Sequence, residues 1–174
     1  MKAILPMIAG AALVLLPSAW AASAQGASGK PVMQSVTSMQ TEASAWGHPG
    51  KADAVDRTIR IEAEDNMRFV PAKLTVKAGS TVKFVITNTG KIEHELVLGP
   101  VAEQHEHEKE MQEMMHSGKM HMEHSDPNEV ELAPGATKTL IWTFTKPGTY
   151  QYGCHEPGHY AAGMYGTLTV VKEP

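Results

Sequence analysis

The stretch Leu140-Ile141-Trp142-Thr143-Phe144-Thr145-Lys146-Pro147-Gly148 sets Leu140, Trp142 and Phe144 two residues apart, then breaks on Pro-Gly. Side chains on a strand alternate between its faces, so this spacing predicts a strand with one buried face, ended by a turn. The same period recurs on both sides. Ile59/Ile61, Leu74/Val76, Val82/Phe84/Ile86, Leu96/Leu98 and Leu168/Val170 repeat it. Pro71, Ala78-Gly79, Asn88-Thr89-Gly90 and Pro134-Gly135 punctuate it. Seven or eight short strands at such intervals predict an all-β fold, an antiparallel β-sandwich.

One segment, residues 101–128, interrupts the strands. It is made of Glu, Lys, His and Met, with few β-branched residues. Glu103 to Ser117 holds good helix formers without Gly or Pro, which predicts a helix of three to four turns. Gly118 and Pro127 mark its end and the return to the sheet.

The first residues read as an address. Lys2 precedes an uncharged apolar run from Ala3 to Leu16, and Ala22-Ser23-Ala24 fits a small-residue cleavage site. The run is shorter than the ~20 residues a membrane span needs. Residues 1–24 are therefore expected to be a cleavable signal peptide, the mature protein to be periplasmic, and no membrane span to remain. Cleavage leaves 14 basic and 19 acidic residues, a net charge of −5 against −4 for the whole chain. The lack of a basic surplus argues against a nucleic-acid partner, because phosphate contacts dominate such affinity. Residues 25–56, rich in Gly, Ser, Ala, Thr and Gln, are expected to be flexible. Trp46-Gly47-His48-Pro49-Gly50 is their one distinctive patch, a candidate to dock on the domain, with His48 expected at the surface. The folded domain is bounded at 57–174 by the onset of alternation.

Eleven Met and nine His stand against a single Cys. In an oxidising compartment cysteines usually pair, and Cys154 has no partner in the chain. It is either buried or bound to a metal. Its neighbourhood is Cys154-His155-Glu156-Pro157-Gly158-His159-Tyr160-Ala161-Ala162-Gly163-Met164, with His94 some 60 residues upstream at the head of a strand. Two imidazoles, a thiolate and a weak thioether form the donor set of blue-copper electron-transfer sites. Structural zinc usually takes Cys and His without a thioether.

The distant His, the C-x4-H-x4-M loop and the closing strand Gly166-Thr167-Leu168-Thr169-Val170 resemble the cupredoxins, the family of azurin, pseudoazurin and plastocyanin. Asp65-Asn66-Met67-Arg68-Phe69 and Asn88-Thr89-Gly90-Lys91-Ile92-Glu93-His94-Glu95 are similar to motifs of the exported copper-tolerance (CopI-like) cupredoxins of bacteria. The resemblance covers about Arg57 to Lys172. It implies the Greek-key cupredoxin fold and one type 1 copper held by His94, Cys154, His159 and Met164. Two positions depart from the family pattern. Glu95 stands where many small blue-copper proteins have an Asn that ties the two ligand loops together. His155 follows the Cys directly; it is expected to face water, the alternative being that it shifts the site's colour and potential.

The interrupting segment carries His105, His107, Met111, Met114, Met115, His116, Met120, His121, Met122 and His124, half of a 20-residue window. On a helix, His107, Met111, Met114 and Met115 share a face. Thioethers select Cu(I), and imidazole extends the reach to Cu(II). The bland alternative is a packing stripe over the sandwich. Met120, His121, Met122 and His124 lie beyond any such stripe, which favours a second copper region.

No nucleophile elbow, phosphate loop or carboxylate pair has a convincing context, so an enzyme is not expected. Two functions remain: copper tolerance through copper binding and Cu(I)/Cu(II) cycling, or soluble electron transfer in a respiratory or photosynthetic chain. The His/Met segment favours tolerance, since a carrier needs one copper only. A redox partner protein would dock around His159, beside Pro157, Tyr160, Ala161 and Ala162.

Overall fold

The computed structural model describes residues 45–118 and 126–172. The expected signal peptide, residues 25–44, and Met120, His121, Met122 and His124 lie outside the described residues. Ten strands and one α-helix follow in order along the described chain. They are β1 (Gly47–Pro49), β2 (Arg57–Glu64), β3 (Arg68–Val70), β4 (Lys73–Lys77), β5 (Thr81–Asn88) and β6 (His94–Pro100). Then come α1 (Val101–His116), β7 (Glu129–Leu132), β8 (Thr137–Phe144), β9 (Gly148–Gly153) and β10 (Tyr165–Val171).

The strands make two five-stranded sheets, in the orders β1-β8-β5-β2-β3 and β4-β10-β9-β6-β7. Every residue of the alternating pairs is buried, none above 9% exposure, and together they form one core between the sheets. Each such side chain contributes about 1.5–3 kcal/mol by leaving water. Six of the eight strand pairings are antiparallel. The pairs β2–β5 and β4–β10 are parallel, a correction to a wholly antiparallel sandwich. Connectivity is the reason: after β3 the chain crosses to the other sheet for β4, then returns to place β5 beside β2.

A second correction concerns residues 45–56, expected to belong to a flexible lead. Trp46 is buried, stacked on Trp142 with ring centroids 4.7 Å apart and tilted against Tyr150 at 5.3 Å. β1 extends the sheet by pairing with β8, Gly47 opposite Phe144. Gly47 is required there, because a Cβ would run into the Trp142 indole. His48 is exposed.

β6 departs from alternation. His94 to Gly99 are all buried, Glu95 and Val97 included. Its outer face is covered by α1, which packs against β6 and β9. The helix ends near Gly118, whose φ of 69° stops it.

Candidate metal centre

β6 and β9 lie side by side in one sheet. That adjacency brings His94, at the head of β6, to Cys154, the residue after β9. The loop from Cys154 to Met164 is closed by its own backbone. Cys154 N–H donates to Met164 O, and Met164 N–H to His159 O, both at 3.0 Å. Gly158 and Gly163, at φ 82° and 95°, make its two left-handed bends.

Three donor atoms converge. Cys154 Sγ lies 3.3 Å from His159 Nδ1 and 4.0 Å from His94 Nδ1, and the two Nδ1 atoms are 3.3 Å apart. All three lie within 4.8 Å of one another. Cys154, His94 and Met164 are fully buried, whereas His159 is partly exposed and forms the edge of the site. Met164 stands at the far end of the same loop, packed in the core.

Burial pushes the Cys154 thiol up to about 12. Burial, and then the neighbouring His94, hold His159 below the ordinary imidazole range. Burial thus disfavours the charged forms of Cys154 and His159. A soft thiol beside two imidazoles is a donor set that copper fits.

Around the donors, hydrogen bonds fix the frame. Asn88 donates to Ile92 O and Leu132 O, both at 2.8 Å, and accepts from Gly90 N–H, which sets the loop before His94. Arg68 donates to Ala162 O at 3.4 Å and Gly163 O at 3.2 Å, clasping the far side of the Cys loop. The Asp65 carboxylate accepts from Lys91 N–H, Ile92 N–H and His94 Nε2. The Lys91 amide is the largest cause holding its carboxyl below the usual range. Glu95 N–H points at Cys154 Sγ, 3.4 Å away, and the Glu95 carboxylate accepts His155 N–H at 2.6 Å. Glu95 therefore ties the two ligand segments, as the Asn it replaces does in the resemblance. Burial pushes this carboxyl up to about 8, against the lowering effect of the His155 N–H.

His155, expected to face water, is only 1% exposed, because α1 covers it. Gln104 is the buried residue of that helix. Its amide donates to Val97 O at 2.9 Å, so its oxygen is left to accept His155 Nε2–H at 2.7 Å. His155 Nδ1 meets Glu108 at 3.1 Å, and its ring stacks on Tyr160 at 4.6 Å. Burial, then the nearby His107 and His105, push His155 down to about 3.

Sequence reasoning assigned no role to Asp65, Arg68, Gln104 or Glu108. Asp65 and Arg68 were visible only as part of a matching motif. The α1 residues His105 and His116 are exposed, and His107 is half-buried. None of the helix methionines belongs to the core between the sheets; Met111 and Met114 are half-buried and Met115 is exposed. Among the described residues, no other group of three His, Cys, Asp or Glu side chains converges as His94, Cys154 and His159 do.

Residues 55–171 match the family profile of copper-binding proteins of the plastocyanin/azurin family. The chain belongs to this family. Among its cupredoxin relatives is a copper-resistant cuproprotein CopI of Rubrivivax gelatinosus, 45% identical over 72% of this chain and 73% of its own. Another CopI, from Pseudomonas aeruginosa, is 41% identical over 72% of this chain and 82% of the relative. Cupredoxins of known structure share the fold. Auracyanin B aligns with a TM-score of 0.57 at 26% identity, over 72% of this chain and 96% of that one. The reduced auracyanin of Roseiflexus castenholzii gives 0.56 at 29%, over 67% and 98%. The insertion α1 falls inside the matched span, so it is an elaboration of the cupredoxin domain.

Proposed function

We propose that this cupredoxin is a periplasmic copper-tolerance protein that holds a type 1 copper at His94, Cys154, His159 and Met164. The observation that carries the reading is the convergence of three donor atoms within 4.8 Å, with Met164 closing the same loop. Bound copper supplies one-electron exchange between Cu(I) and Cu(II). The chain's contribution is to give up the Cys154 proton, keep the thiolate from water, and hold both imidazoles where they already stand. His159, at the edge, is the contact for a redox partner. No substrate-binding or catalytic role is assigned.

Tolerance, rather than carriage alone, is favoured by α1. Its methionines lie outside the core, and the segment 105–124 is proposed as a second copper region. Two relatives are named for copper resistance. Export rests on residues 1–24; among the described residues no helix is long and apolar enough to cross a membrane. The alternative, a soluble electron carrier, is favoured by the partly exposed His159 and the auracyanin likeness. Growth in copper separates the two. A deletion strain should be copper-sensitive, more so than zinc-sensitive, and the Cys154→Ser gene should not restore it fully. Normal copper tolerance with impaired respiratory electron flow would select the carrier.

A further inference from the structure

The first turn of the domain presents a carboxylate to the copper loop. β2 and β3 form a hairpin, Glu62 opposite Val70 and Glu64 opposite Arg68. Met67, at φ 63°, closes its three-residue turn, and Met67 N–H donates to Glu64 O at 3.1 Å. Asp65 is the first residue of that turn. Its Oδ1 lies 3.3 Å from His94 Nε2, the ring nitrogen that faces away from Cys154. The same carboxylate is held from the opposite side by Lys91 N–H at 3.0 and 2.8 Å and by Ile92 N–H at 3.4 Å. Gly90 makes room for it, since a Cβ on that residue would coincide with the Asp65 carboxylate.

We propose that Asp65 is a positioning residue for the first copper ligand. This inference rests on the type 1 reading above. The carboxylate only accepts hydrogen bonds, so it places the His94 proton on Nε2. Nδ1 is then left with its lone pair directed at the space shared with Cys154 Sγ and His159 Nδ1. Metal-binding histidines commonly have such an outer partner, which fixes tautomer and ring orientation and raises basicity. Asp65 also adds a negative charge behind the ligand. By Coulomb's law that charge favours the doubly charged ion over the singly charged one. Asp65 therefore shifts the centre towards Cu(II), and a turn of the first hairpin sets the redox preference of a ligand 29 residues later.

The test uses the mature protein, with and without copper. In the copper-free protein, nitrogen-15 NMR of the imidazoles should show His94 as the Nε2–H tautomer. Asp65→Ala should mix the two tautomers. Gly90→Ala, which displaces the carboxylate without touching a ligand, should do the same. Asp65→Asn keeps an oxygen for the Lys91 and Ile92 amides but removes the charge. Loss of such a partner typically lowers metal affinity about 10–100-fold. Here Cu(II) affinity should fall more than Cu(I) affinity. A tenfold gap between the two raises the reduction potential by about 59 mV. An unchanged tautomer in Asp65→Ala and Gly90→Ala, with an unchanged potential in Asp65→Asn, would overturn the proposal. If the unmutated protein bound no copper, the type 1 reading would fail, and the tautomer measurement would still decide the role of Asp65.

Discussion

Gln104→Ala should release α1 from the sandwich. Gln104 is 1% exposed, donates to Val97 O at 2.9 Å and accepts from His155 Nε2 at 2.7 Å. Removing the amide leaves a buried carbonyl and a buried imidazole N–H without these partners, at about 1–3 kcal/mol each. The two losses share a network and do not add fully, so about 3 kcal/mol is expected. No α1 residue belongs to the apolar core between the sheets, and Gln104 is the one fully buried residue of the helix. The helix should therefore loosen before the sheets do. Hydrogen exchange of the α1 amides should accelerate about 100-fold, the factor for about 3 kcal/mol, if opening is local. Amides of β5 and β8 should keep their protection. The visible band of the copper-loaded protein should also shift, because His155 adjoins Cys154. Glu106→Ala, on the exposed side of the helix, is the control. Exchange rates in α1 equal to those of the control would refute the polar-anchor argument.

Trp46→Ala should cost about 3–5 kcal/mol, the usual range for emptying a buried Trp site. A thermal melt should fall by about 10 °C, while exposed His48→Ala should change it little. Glu129 carries a pH prediction. Burial, then the charges of Asp126 and Glu131, raise its carboxyl to about 7 from an ordinary 4.5. The native state thus keeps a proton that the unfolded chain has lost between those values, and stability falls as pH rises through that window. Glu129→Gln should gain on the unmutated copper-free protein from pH 5 to 7.5, by about 1 kcal/mol after allowing for its partial exposure, in denaturant titrations at each pH. A constant difference across that range would contradict the assigned burial.

The strands that build the core were legible because a half-buried strand writes its period into the sequence, and Ile59/Ile61 or Phe84/Ile86 obey it. β1 was not, because three residues around a lone Trp46 have no period, and their partner β8 lies about 95 residues away. The parallel pairs were not, because alternation says which face is buried and nothing about strand direction. Glu95 and Val97 fall at the alternate positions of β6 and are buried as well, on a strand against which α1 packs. The Cys154–Met164 loop was readable since its donors share one short segment. Asp65, Gln104 and His155 were not, because their roles arise from contacts across 29 to 51 residues.

The central claim is that Cys154 is the thiolate of a copper site, and the visible spectrum of the copper-loaded protein tests it most directly. Oxidised protein should show an intense sulfur-to-copper charge-transfer band that Cys154→Ser abolishes. Met164→Leu should keep much of the band and raise the potential. A band that persists in Cys154→Ser would contradict the assignment.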